Sequence, residues 1–233
     1  MAADMPIKAP PPPPVAYYDW SGAYIGFNAG GVWNDVTRHF PTPGGPSPDF
    51  QTSDSQGIFG FHAGAQWQWG AWVLGAEAAL SGCFQECRST TVLAPPLFTP
   101  NTTGEHKITN LFTVGPRLGY AWDRLMIFAT GGWASANLKG TYCGALACGP
   151  NFTNQNGASR SDGLYAGGGF DYMVHKGPLV DVVLGLEYQH FDVGSREAFR
   201  SNIAANNYDL EAKGDIVRAR LTIKTSGYSF YYR

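Results

Sequence analysis

Apolar and polar positions alternate with a period of two from Asp19 onward. Between Gly57 and Trp69 one set reads Phe59, Phe61, Ala63, Ala65, Trp67, Trp69. The other reads Gly60, His62, Gly64, Gln66, Gln68. Successive side chains of a strand point to opposite faces, so this is a strand with one greasy face and one polar or small face. The first strand sets Ala23, Ile25, Phe27 and Ala29 against Tyr24, Gly26, Asn28 and Gly30. The pattern recurs near 72–82, 108–122, 125–139, 163–173, 179–192 and 213–225. It predicts eight strands, an even number that lets an antiparallel barrel close.

The connections between these strands alternate in length. Gly70-Ala71, Asp123-Arg124 and His175-Lys176-Gly177 are tight. The stretches near 35–56, 83–106, 140–162 and 193–212 are long and rich in Gly, Pro, Asn, Ser and Thr. Short turns on one side and long loops on the other mark an outer-membrane barrel with its turns in the periplasm, and a soluble β-sandwich has no reason for the asymmetry. Trp67, Trp69, Trp72, Tyr120, Trp122 and Tyr172 flank the short turns, and Trp20 opens the first strand at the same end. Amphipathic rings gather at membrane interfaces, so all seven are expected there.

Composition supports this reading. Charged residues make up 15% of the 233 positions, against about 25% in ordinary domains. Thirty Gly and sixteen Pro are too many for a helical protein. A net charge of -2 gives no sign of nucleic-acid binding. Residues 1–18 read as a Pro-rich periplasmic tail, with Pro10 to Pro14 favouring extended polyproline II, and residues 19–233 as the barrel. Ala2 and Ala3 after Met1 resemble what a signal-peptide cleavage leaves behind, which implies an exported chain whose signal is removed. Ser55 to Ala76 lacks Asp, Glu, Lys and Arg, but its Gln, His and five glycines suit a strand pair better than a lipid-exposed helix.

Asp19 to Gly30 (DWSGAYIGFNAG), after a Pro-rich leader, resembles the first strand of the alphaproteobacterial Omp25/Omp31-like outer-membrane barrels. Thr113 to Trp122 (TVGPRLGYAW), Ala129 to Gly132 (ATGG) and Leu186 to Asp192 (LEYQHFD) are similar to further segments of that family. The resemblance runs from residue 3 to about 225. It implies an eight-stranded barrel in the outer membrane of a rhizobial-type bacterium, inserted by the barrel assembly machinery and surrounded by lipid and lipopolysaccharide. It does not imply an enzyme or a cofactor. Members commonly end on an aromatic residue, whereas here Tyr231-Tyr232 is followed by Arg233. Some members begin with Ala-Asp and are joined covalently to peptidoglycan through the mature N-terminus, and Ala3-Asp4 matches that start. The segment from Asp4 to Asp19 would reach roughly 50 Å if extended.

Projected inward, the polar faces carry Glu77, Asp171, Asp181 and Glu187 against Arg117, Arg218, Arg220 and Lys224. Four acids and four bases in a narrow lumen predict a neutralised plug, because buried charges must be paired and an eight-stranded barrel has little room beyond its own side chains. Glu77 and Arg117 stand at matching heights on neighbouring strands and are the expected pair. The alternative is a proton or ion relay, or an acid/base pair. His62 also faces inward. A catalytic role would need a partner nucleophile or acid in reach, and none is visible, so His62 reads as a hydrogen-bonded interior residue. His39, His106, His175 and His190 show no metal-ligand spacing.

Cys83, Cys87, Cys143 and Cys148 all fall in or beside predicted outer loops. An even count in an exported chain suggests disulfides, with Cys83–Cys87 and Cys143–Cys148 favoured and cross-loop pairing left open. A four-thiolate zinc site is the alternative, on looser spacing than usual. Three function classes remain. The first is a structural envelope barrel. The second is a small-ligand or narrow-pore transport protein, with haem as one ligand of related barrels and His39 and His106 as the outer candidates. The third is a membrane enzyme working through His62. The oligomeric state is not readable.

Overall fold

Strict alternation produces strands, and their hydrogen bonds go to neighbouring strands all the way round. A computed structural model describes residues 18–39, 49–83, 88–93, 102–143, 157–199 and 208–226. The strands are β1 (Gly22–His39), β2 (Asp49–Trp69), β3 (Trp72–Cys83), β4 (Arg88–Leu93), β5 (Thr102–Trp122), β6 (Leu125–Cys143), β7 (Gly157–Lys176), β8 (Val180–Phe199) and β9 (Tyr208–Thr225). All pair antiparallel in the order β3-β2-β1-β9-β8-β7-β6-β5-β4, and the β3–β5 ladder closes the barrel. β3 pairs with residues 120–110 of β5, and β4 takes up the same partner from 107 to 102. β4 therefore continues the line of β3, and the nine strands make eight staves. Closure leaves no sheet edge in the hydrocarbon, where an unpaired backbone group would cost several kcal/mol.

Much of the expected loop is strand. Residues 49–56, 102–106, 140–143, 157–162, 193–199 and 208–212 all extend staves, β4 falls wholly within a predicted loop, and staves run to 21 residues. About 9–11 residues cross a bilayer, so the wall continues well beyond the outer leaflet. Above the lipid both faces meet water, and the greasy-polar alternation that marks a membrane strand disappears. At the other end, Gly70 and Asp123 take the positive φ that two-residue hairpin turns require. The third turn is Gly177–Leu179 rather than His175-Lys176-Gly177, because a bulge between Met173 and His175 lets β7 run on to Lys176.

The outward faces present Ile25, Phe61, Leu74, Leu80, Leu118, Ile127, Leu164, Leu184 and Leu221 to the surroundings. In water such a belt would be an aggregation surface. Trp67, Trp69, Trp72, Trp122 and Tyr172 ring its periplasmic rim, all of them exposed. Trp72 meets Tyr120 edge to face, and Tyr120 meets Trp122 at a tilt, with centroids 5.1 and 4.5 Å apart. Trp20 is not part of this ring. It is 1% exposed and lies inside the barrel.

Candidate functional site: the barrel lumen

The lumen is built in three layers. At the periplasmic mouth the chain crosses the opening before entering β1, and Tyr18 and Trp20 turn inward to pack with Val73, Ala121, Met126, Phe128, Met173 and Val183. Trp20 donates from Nε1 to the Asp123 carbonyl (2.9 Å) and from its backbone to Gln68 Oε1 (2.7 Å), and its own carbonyl accepts from Gln66 (2.8 Å). Tyr18 donates its backbone N–H to the Asp123 carboxylate (3.1 Å) and its hydroxyl to Asp181 (2.8 Å). Burial, reinforced by the hydrogen bond to the Asp181 carboxylate, pushes the Tyr18 phenol up, so the hydroxyl stays a donor. Lys224 and Lys176 sit 5.2 and 5.9 Å from its ring centroid.

The middle layer is ionic. Arg220 on β9 reaches across the lumen to Glu77 on β3, with donors 2.8 and 2.6 Å from its two oxygens, and also contacts Glu187. Arg218 donates from Nε to Glu187 (3.0 Å) and from Nη1 to Ser81 (3.3 Å). Arg117 meets Asp171 at 2.5 Å, and its guanidinium lies 3.7 Å over the Phe128 ring. All six are at most 6% exposed. Three guanidinium groups face three carboxylates, so the cluster is neutral. Inward-facing glycines let neighbouring staves approach closely around this layer. A Cβ at Gly30 would strike the backbone of Val217 and Arg218, and one at Gly60 that of Leu80 and Ser81.

Above this lies an apolar layer of Val32, Ile58, Leu111, Ala134, Ala136, Tyr165, Phe191, Val193 and Ile216. It encloses a pocket bordered by Val32, Ile58, Leu111, Ala136, Phe191 and Ile216, with Asn34, Ser81 and Asn110 among its few polar neighbours.

A family profile described as an outer membrane protein beta-barrel domain matches residues 11–219. The chain belongs to this family. It is 29% identical over 223 residues to the 31 kDa outer-membrane immunogenic protein of Brucella melitensis biotype 1, covering 91% of this chain and 87% of that one. The protein of the same name in Brucella suis biovar 1 matches equally. The outer membrane protease OmpT of Escherichia coli overlays with a TM-score of 0.47 at 9% identity, covering 91% of this chain and 98% of that one. Neisserial surface protein A overlays at 0.40 and 13%, covering 88% and 97%.

In this outer-membrane barrel the eight inward charges all lie in the lumen, in two groups rather than one. Glu77, Arg117, Asp171, Glu187, Arg218 and Arg220 form the central cluster. Asp181 and Lys224 pair separately at the mouth, 3.5 Å apart. The expected partnership of Glu77 with Arg117 is secondary. The two stand 3.5 Å apart, and each has a closer partner on another wall, because a guanidinium spans the lumen more readily than it folds back onto the next stave. His62 is buried, with Nε2 2.9 Å from Thr222 Oγ1. His39 and His106 lie near the outer ends of β1 and β5. Among the described residues no group of three or more His, Cys, Asp or Glu is arranged to hold a metal ion. Cys83 is disulfide-bonded. Cys143 ends β6, while Cys87, Cys148, Ala3 and Asp4 lie outside the described residues. The sequence pattern did not single out Tyr18, set Trp20 among the interface aromatics, and gave Asp123 only a place in a turn. Tyr18 and Trp20 share the even parity of the inward residues Tyr24 and Asn28, and that parity would have found them.

Proposed function

We propose that this protein is a structural barrel of the outer membrane whose lumen is closed to solutes, with surface loops outside and a tail that holds the cell wall. The observation that carries the reading is the neutral three-arginine, three-carboxylate cluster drawn from β3, β5, β7, β8 and β9. It fills the bore of the barrel at mid-height, and Tyr18 and Trp20 fill the mouth below it. Buried charges joined in this way resist displacement, because removing one leaves its partner uncompensated. Pure protein in planar bilayers is expected to give no large, stable openings. Openings that pass sugars would end the proposal.

The wall-holding part rests on Ala3-Asp4 and on the chain entering at the periplasmic mouth through Tyr18. Lysozyme digestion of cell wall from the native organism should release muropeptides joined to the N-terminal peptide. Finding only free N-termini would remove it. The Brucella relatives are named as outer-membrane immunogenic proteins, which fits a barrel whose loops face outward.

A further inference from the structure

Above the lipid belt the outward face of the wall turns from apolar to charged, and the charges differ around the barrel. On β8 and β9 they satisfy one another. Asp215 accepts from the Tyr188 hydroxyl (2.6 Å) and lies 2.9 Å from His190 Nδ1. Lys213 is held between Glu211 and Asp192, at 2.6 and 3.4 Å. Three carboxylates stand there against one lysine and one histidine, so that face repels a further anion.

The face made by β6 and β7 is built differently. Arg160 lies over Trp133, its guanidinium carbon 5.3 Å from the ring centroid. Its Nε donates to Ser135 Oγ (2.7 Å) and stands 3.4 Å from Asp162. These contacts hold the guanidinium in place through Nε alone. Among the described residues Nη1 and Nη2 meet no acceptor, and the side chain is 60% exposed. A planar fork held this way is suited to two parallel bonds to a phosphate. Beneath it the wall is apolar. Trp133 is flanked in the ladder by Val114 and Leu164 and meets Phe112 edge to face. Tyr172 of the periplasmic ring lies twelve residues away from Arg160 on the same strand. At ~3.3 Å per residue and a tilt of about 40°, that is roughly 30 Å of height, against an apolar band of about 25 Å. The guanidinium leans back toward Ser135, which sets it where the acyl chains of the outer leaflet end and their head groups begin.

We propose that Arg160 over Trp133 is the seat of one phosphorylated glycolipid of the outer leaflet. Its phosphate meets Arg160 Nη1 and Nη2, and its acyl chains descend along Trp133, Val114 and Leu164. The sugar rests against the wall above, where β6 runs on to Cys143 and the exposed Asn137 stands opposite Arg160 in the ladder. A phospholipid with a small head would leave that polar wall to water.

The test titrates the full-length protein in detergent micelles and counts bound lipid by native mass spectrometry. The probes are diphosphoryl lipid A, the same lipid with its phosphates removed, phosphatidylglycerol, and inorganic phosphate as competitor. Diphosphoryl lipid A should show one tight step, with the other two lipids weaker and inorganic phosphate without effect. Arg160→Gln should weaken that step at least about tenfold, the scale of one lost charge-assisted contact. Arg160→Lys keeps the charge without the fork and should recover only part of it. Lys213→Gln, on the β8–β9 face, should leave the step unchanged. All three positions are exposed side chains of the outer wall, so the barrel folds without them. A tight step unchanged in Arg160→Gln, or lost equally in Lys213→Gln, would overturn the proposal. Equal binding of the dephosphorylated lipid or of phosphatidylglycerol, or displacement by inorganic phosphate, would overturn it too.

Discussion

Replacing Arg220 with Met tests the central cluster most directly. Arg220 joins two carboxylates of the central cluster, Glu77 through two hydrogen bonds and Glu187 through a third. The substitution keeps most of the volume and removes the charge, so the cluster passes from balance to one excess negative charge. Removing one partner of a buried pair costs about 3–5 kcal/mol. The lower end applies here, because neither carboxylate is stripped bare. Glu77 keeps the Tyr24 hydroxyl at 2.8 Å and Arg117 at 3.5 Å. Glu187 keeps Arg218 at 3.0 Å and the Gln189 amide at 2.7 Å. The expected loss is therefore about 3 kcal/mol, read from urea unfolding in lipid vesicles by tryptophan emission, with an unchanged slope against urea. Adding Glu77→Gln restores the balance of charge and should recover at least half of the loss. A single variant that costs under about 1 kcal/mol, or a double variant whose loss equals the sum of the two singles, would refute the idea that the charges act as a coupled unit.

Four further outcomes follow from the same geometry. Trp20→Ala should cost about 3–5 kcal/mol, as for a large buried aromatic, and a urea midpoint like wild type would contradict the mouth plug. A variant keeping only Trp20 should resist quenching by lipids brominated on their chains, whereas one keeping only Trp72 should be quenched, and equal quenching would place Trp20 outside. Asp123→Ala should cost about 1–2 kcal/mol, from the left-handed backbone and the lost acceptor of the Tyr18 N–H, and no change in the urea midpoint would count against that turn as an anchor. In protein purified from the membrane, Cys83 should take up an alkylating reagent only after reduction, and mass spectrometry showing it labelled beforehand would contradict the disulfide.

The division of labour between sequence and fold can be read from particular residues. Parity along each strand is a local property. It alone assigns Ile25, Phe61 and Leu184 to the lipid, and Glu77, Arg117 and Arg220 to the lumen. Gly70-Ala71 and Asp123-Arg124 announce tight turns because few dipeptides take their backbone shape. The length of the staves was hidden, since above the membrane neither face must be greasy and the alternation that betrays a strand fades. The partners inside were hidden as well. That Arg220 chooses Glu77 across the bore, while Arg117 turns to Asp171, depends on closure and on the stagger of the strands. The placement of Trp20 needed the fold too. In sequence it sits at the end where interface tryptophans gather, and only a closed mouth with the Asp123 carbonyl beyond it makes the lumen the better place for an indole. Which face a residue takes follows from its neighbours in the chain, whereas which residue it touches follows from how the barrel closes.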